Sequence, residues 1–329
     1  MKKIIIINII VIFSLLILLE ITFRILDISY TQDVDSKLFY KKNNIAMHKA
    51  KTVTKVFGKK VIIDNYGFRV PYVDYKYDHD KSILVLGDSV SFGIGVDEKD
   101  SFIGIARKNV SKNIYNASVM GLNITNYGEL LKNYLKEFSD ISDVIIFICL
   151  NDTFFSQGVI DNSDIEKIVN KKEKGFIERI VKNKFLMRTD VVLRDKSALF
   201  VFIKSLITNP YKRGFFFSFY DYSNEEKMKI FTKYTDEIIK VSRSKNLKTK
   251  YILLPFAYQI DHLKCDQKYL LPQKRIKEIF QELNESIEDL TSDFCEYNRP
   301  KDLFFDAVHL SDQGNKFVFE LLQKRNILN

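Results

Sequence analysis

Ile83-Leu84-Val85-Leu86-Gly87-Asp88-Ser89-Val90-Ser91 is the stretch on which the reading of this 329-residue chain turns. Four consecutive apolar residues ending in a glycine read as a strand buried on both faces of a parallel sheet. Gly87 allows a tight turn, and Ser89 then stands just past the strand's carboxyl end, where open α/β sheets place their ligands. Gly, Asp and Ser also favour ordinary turns, so these residues carry no chemistry by themselves. Gly93-Ile94-Gly95 follows closely. It lacks the third glycine or the Gly-Lys-Ser/Thr of a phosphate-binding loop, so nucleotide binding is rejected.

Outward from this strand, apolar spacing predicts helix at Ser101–Lys108, strand at Ile114–Ala117, helix at Tyr127–Phe138 and strand at Val144–Leu150. The rhythm breaks over 153–224, which reads as a helical insertion covering the domain. It includes a mixed segment at Ile177–Leu186, an apolar patch at Ala198–Ile207 and Phe215-Phe216-Phe217. Alternation resumes with a helix near Asn224–Ser244, a strand at Tyr251–Leu254 ended by Pro255, a helix at Gln273–Leu290 and a last helix after Ser311. Strands alternating with helices predict a parallel sheet with helices on both faces.

A serine nucleophile needs a base, and the base needs a partner on its other nitrogen. Asp306-Ala307-Val308-His309 supplies both within one turn, and only four histidines occur in the chain. Two further pieces suit a developing negative charge. Gly121 ends Asn116-Ala117-Ser118-Val119-Met120-Gly121, and without a Cβ its N–H can approach a substrate closely. Asn151 follows the third strand with a side-chain amide that can donate.

In this order the four blocks resemble the SGNH (GDSL) hydrolase family, over roughly residues 81–152 and 249–329. The resemblance implies a three-layer α/β/α sandwich with a parallel, flavodoxin-like sheet. It also implies a Ser89–His309–Asp306 triad and an oxyanion hole from the Ser89 N–H, Gly121 and Asn151. Cys149 stands where the family's third block begins with glycine. No cofactor or metal is expected. The family leaves the substrate open among esterase, lipase, thioesterase, deacetylase and acetyltransferase chemistry. The expected reaction is hydrolysis or transfer of a small acyl group, acetyl first, on a cell-surface glycan. The rival from another class is a catalytically idle glycan-binding scaffold.

At the N-terminus Lys2-Lys3 precede Ile4–Leu19, an apolar run broken only by Asn8 and Ser14. Sixteen helical residues span about 24 Å, short of a hydrocarbon core of roughly 30 Å, and extension through Phe23 reaches the needed length. Leu-Glu-Ile-Thr-Phe-Arg offers no small-x-small cleavage site, so an uncleaved anchor over 1–24 is expected, rather than a signal peptide. Lys2 and Lys3 favour a cytoplasmic N-terminus and a single-pass protein whose domain is extracytoplasmic. Residues 25–80 read as a stalk with a hairpin at 53–63, and 81–329 as the hydrolase-like domain. The net charge of +9 comes from scattered lysines with no dense basic block, so no nucleic-acid partner is expected. Three cysteines, an odd number without metal-ligand spacing, imply no disulfide framework.

Overall fold

The computed structural model describes residues 2–26, 31–42, 45–153 and 184–328. Of the expected insertion, residues 154–183 lie outside the described residues, and with them most of the predicted segment at 177–186. The chain divides into two compact units, 1–35 with 55–58 and 162–210, and 36–54 with 59–161 and 211–329.

The larger unit holds five parallel strands, β6 (Ser82–Leu86), β7 (Asn113–Asn116), β8 (Ile141–Cys149), β9 (Lys248–Leu254) and β10 (Glu288–Asp289), in the spatial order β10-β9-β8-β6-β7. This is the doubly wound, flavodoxin-like order expected. The chain first steps outward from β6 to β7 and then reverses across β6 to β8. Right-handed crossovers on the two sides of that reversal send helices to opposite faces. Accordingly α3 (Phe102–Arg107) packs with α11 (Asp312–Lys324), and α4 (Ile124–Glu137) with α8 (Glu225–Ser244). The loops after β6 and β8 flank the switch point, where such sheets bind ligands.

The centre of the sheet forms because its residues have nowhere else to go. Every residue of β6 is buried, as are Val144–Cys149 of β8. Each fully buried Ile, Leu, Val or Phe there contributes about 1.5–3 kcal/mol. The fifth strand escaped the sequence reading, which extended a helix to Leu290. That helix, α9 (Leu271–Glu282), stops where Asn284 turns left-handed at φ 55°, and only Glu288-Asp289 then pair with Ile252 and Leu253. Two acidic residues carry no apolar period, so the strand exists through its neighbour alone.

The segment read as a stalk is also more than that. Ile45 and Met47, on β2 (Ile45–His48), and Phe68 belong to the main core. β2 pairs with β1 (Phe39–Lys42), and the expected hairpin appears as β3 (Thr52–Val56) and β4 (Lys59–Ile63), with β5 (Arg69–Val70) antiparallel to β4. A second correction concerns the cysteines. Cys265 and Cys295 form a disulfide with Cα atoms 6.1 Å apart, and Cys149 is a buried free thiol. An odd count leaves one thiol over but does not forbid pairing, which proximity decides.

The smaller unit contains α1 (Lys2–Ile25), α5 (Lys184–Lys196) and α6 (Ala198–Ile207). Among the described residues α1 is the one helix long and apolar enough to cross a membrane.

Candidate active site

β6 delivers Ser89 as the first residue of α2 (Ser89–Phe92), a single turn whose N-cap is Asp88. Asp88 Oδ1 accepts from the Val90 N–H at 2.9 Å. The Ser89 N–H, at the first helical position, has no intrahelical acceptor. The turn is fixed from below by Arg69, 1% exposed, whose guanidinium donates to the carbonyls of Phe92, Gly93 and Val96. Its carbon also lies 4.9 Å from the Phe92 ring centroid. Arg69 lies in the segment read as a stalk, where no local pattern marks it.

The second piece arrives 220 residues later. Asp306 Oδ1 accepts from the N–H groups of Val308 (2.8 Å) and His309 (2.7 Å), closing the turn on its own side chain. Its Oδ2 lies 2.7 Å from His309 Nδ1, and His309 Nε2 lies 2.9 Å from Ser89 Oγ. A carboxylate can only accept, so Nδ1 carries the proton and the Ser89 hydroxyl donates to Nε2. Ser89 Oγ is also 3.5 Å from Asp88 Oδ2, too far to compete. Burial disfavours the imidazolium, but the Asp306 charge and its hydrogen bond outweigh burial and raise the His309 pKa above its ordinary value. The converse holds for Asp306. Burial opposes its charge, while His309 and the two backbone N–H groups overcome that and hold its carboxyl low.

The loop is anchored at both ends. Phe304 bridges Leu310, and Ser311 N-caps α11 through the Gly314 N–H. Buried Asn315 accepts from the Phe102 N–H at 3.0 Å and donates to the carbonyls of Leu310 and Ser311, tying the histidine loop to α3. The Phe305 ring stacks on His309 with centroids 5.6 Å apart and an interplanar angle of 16°. Gly95 also lies against Phe305, so closely that an added Cβ would sit 2.1 Å from its ring. Phe305 was not singled out from sequence, and Gly95 was noted only within the incomplete Gly93-Ile94-Gly95 pattern, since stacking on a remote loop leaves no local trace.

Asn151 lies in the turn Leu150–Thr153 after β8. Its Nδ2 donates to Asp88 Oδ2 at 3.0 Å, next to the serine. The opposite amide orientation would set its oxygen against a carboxylate, so the donor assignment follows from charge. The turn itself is held by Asp152, fully buried, whose oxygens accept from Tyr127 Oη (2.7 Å) and the Cys149 N–H (3.0 Å). Burial, then the nearby Asp88 charge, push the Asp152 carboxyl well above the usual range. Cys149, where glycine was expected, packs as a buried apolar residue at the end of β8 and leaves the turn intact.

Gly121 ends the loop after β7. Val119 N–H donates to the Gly87 carbonyl at 3.0 Å, and Asn116 Nδ2 to the Ser91 carbonyl at 3.2 Å, so this loop is stitched to the serine loop. A Cβ at Gly121 would meet no atom of the protein within 4 Å, but φ is +79°, so the backbone conformation by itself already asks for glycine. Ser89, His309 and Asp306 are thus brought into one hydrogen-bonded chain with Asn151 attached through Asp88. Among the described residues no group of acidic, His or Cys side chains is arranged to hold a metal.

No protein-family model and no curated protein matches the chain. Solved structures similar to it include an acetyl xylan esterase, at 16% identity and TM-score 0.44 over 74% of this chain and 98% of that one. A lipolytic protein of the G-D-S-L family from Veillonella parvula is 14% identical, with TM-score 0.42 over 74% and 97%. A lipase/acylhydrolase from Enterococcus faecalis is 14% identical, with TM-score 0.43 over 74% and 94%. Likenesses this distant transfer no activity, so what Ser89, His309 and Asp306 can do has to follow from their own geometry.

Proposed function

We propose that the chain is a serine-dependent acyl-ester hydrolase or O-acyltransferase of the SGNH type, with Ser89 as nucleophile, His309 as base and Asp306 as the group that orients it. The observation that carries the reading is the continuous bond chain Ser89 Oγ to His309 Nε2 (2.9 Å) and His309 Nδ1 to Asp306 Oδ2 (2.7 Å). Ser89 Oγ attacks the ester carbonyl carbon while its proton passes to Nε2, and Asp306 stabilises the imidazolium without taking the proton. The carbonyl oxygen becomes an oxyanion. Its donors are the Ser89 N–H, the Gly121 N–H and Asn151 Nδ2, whose two N–H bonds leave one beyond that given to Asp88. Collapse breaks the C–O bond, and the departing alkoxide takes the proton from Nε2. Water or a sugar hydroxyl then attacks the acyl-serine, gives its proton to His309, and Ser89 recovers it.

The substrate we assign is a small acyl ester, acetyl first, on a surface glycan met at the membrane face. Two observations support an anchored, extracytoplasmic enzyme. The Cys265–Cys295 disulfide suits an oxidising compartment. Glu20 of α1 accepts from Ser197 Oγ and the N–H groups of Ala198 and Leu199, a use for that helix which cleavage would remove.

The test is labelling with a fluorophosphonate probe followed by turnover of p-nitrophenyl esters, with and without acetylated glycans and acceptors. Wild type labels and Ser89→Ala does not. An unlabelled wild type returns the idle-scaffold reading. Preference for acyl chains of about eight carbons or more overturns the acetyl assignment in favour of a lipase, because a longer chain gains about 0.8 kcal/mol per buried methylene only where an apolar groove exists.

A further inference from the structure

We propose that α6 is a second membrane-contacting element, an interfacial helix that lies in the headgroup–acyl boundary beside the end of α1. The proposal rests on the reading of α1 as a retained anchor. Apart from Lys204 and Ser205, α6 is apolar throughout, Ala-Leu-Phe-Val-Phe-Ile-Lys-Ser-Leu-Ile, yet only Ala198 is buried. Ile203 is 44% exposed, Leu206 70% and Ile207 80%, and Val192 on α5 adds 57%. Water-soluble surfaces rarely leave so many large aliphatic groups together.

The neighbour of α6 identifies the occupant. The first N–H groups of α6 are taken up by Glu20, at 3.0 Å each from Ala198 and Leu199, and Ser197 Oγ donates to the same carboxylate at 2.7 Å. Arg24 reaches the Lys196 carbonyl, and the rings of Phe23 and Phe202 meet edge to face at 4.9 Å. The start of α6 is therefore tied to the last two turns of α1, at the end of the span. A ten-residue helix is about 15 Å long, half of a hydrocarbon core of roughly 30 Å, so α6 cannot cross. A short apolar helix fixed at that level lies in the interface instead. Lys204 pairs with Asp190, which lowers the charge cost of that position. One consequence is orientation. A single span leaves a domain free to swivel, whereas two attachments fix which side of the smaller unit faces the bilayer.

The chain contains no tryptophan, so single-tryptophan variants of the full-length protein in liposomes report depth directly. Leu206→Trp and Ile207→Trp probe α6, and Phe13→Trp probes α1. Each site is exposed, so the fold tolerates the change. Expected is blue-shifted emission from Leu206→Trp, quenched most by lipids brominated about 5–10 Å below the headgroups. Phe13→Trp should be quenched most by bromines near the bilayer centre. Quenching of Phe13→Trp with none of Leu206→Trp or Ile207→Trp overturns the proposal and leaves the anchor standing. Blue-shifted emission from Leu206→Trp that bromolipid does not quench assigns the face to protein instead, and also overturns it. No quenching of Phe13→Trp removes the anchor reading and this proposal together.

Discussion

Gly95→Ala tests whether the histidine is held in place by what lies behind it. Gly95 has φ +83°, and a Cβ there would sit 2.1, 2.3 and 2.9 Å from three carbons of the Phe305 ring. Left-handed backbone costs a residue with a side chain about 1–2 kcal/mol. The ring, to regain an ordinary contact of about 3.5–4 Å, must retreat by more than about 1 Å. Phe305 has little freedom to do so alone, because its ring stacks on His309 and its N–H donates to the His309 carbonyl at 3.1 Å. The displacement therefore passes to the imidazole that sits 2.9 Å from Ser89 Oγ. A misplacement of about 1 Å costs roughly 10²-fold in rate, or about 2.7 kcal/mol. The expected outcome is a loss of about 10²-fold in kcat/KM for p-nitrophenyl acetate, with a stability loss of about 1–3 kcal/mol from denaturant unfolding. Phe305→Ala removes the clashing ring. In the double variant, Gly95→Ala should then add little further loss of rate, and the cycle should be strongly non-additive. A Gly95→Ala enzyme that is destabilised yet turns over within about threefold of wild type refutes the reasoning, since backbone strain would then be the whole effect.

The His309 pKa lies above 6.5, so kcat/KM should rise with pH through a midpoint above that value, because the base must be neutral. Asp306→Asn should lower that midpoint, leaving only the weaker Asp88 charge to oppose burial, and cut kcat by about 10⁴; an unmoved midpoint assigns the ionisation to another group. The same raised pKa gives stability that is full below pH 6.5 and is lost as pH rises through the folded value, and urea midpoints across that range check the sign. Asn151→Ala should lower kcat by about 10²–10³ with little change in KM; a loss below about threefold places the oxyanion donor elsewhere. Replacing Cys265 and Cys295 together by Ser opens a 30-residue loop and should cost about 3–4 kcal/mol of stability, and an unchanged unfolding midpoint would mean the bond does not form.

Much of the site was legible in sequence because its pieces are local. A strand of apolar residues ending in Gly87-Asp88-Ser89 fixes where the serine emerges, and Asp306 with His309 closes a turn on itself through Oδ1. The doubly wound class followed from alternation, since helix and strand periods are properties of consecutive residues. What needed the tertiary structure was everything carried by residues far apart in the chain. β10 is a strand only beside β9, Arg69 grips a loop more than twenty residues on, and Cys265 finds Cys295 across α9 and β10. Asp88 reads as a turn residue until its carboxylate is seen to cap α2 and orient Asn151 at once. Gly95 reads as part of an incomplete phosphate-loop pattern until Phe305 is seen against it. The division has one physical cause. Periodicity and turn chemistry are written in neighbouring side chains, whereas a buried charge, a disulfide or a stacked ring is stabilised by partners whose identity the local sequence does not contain.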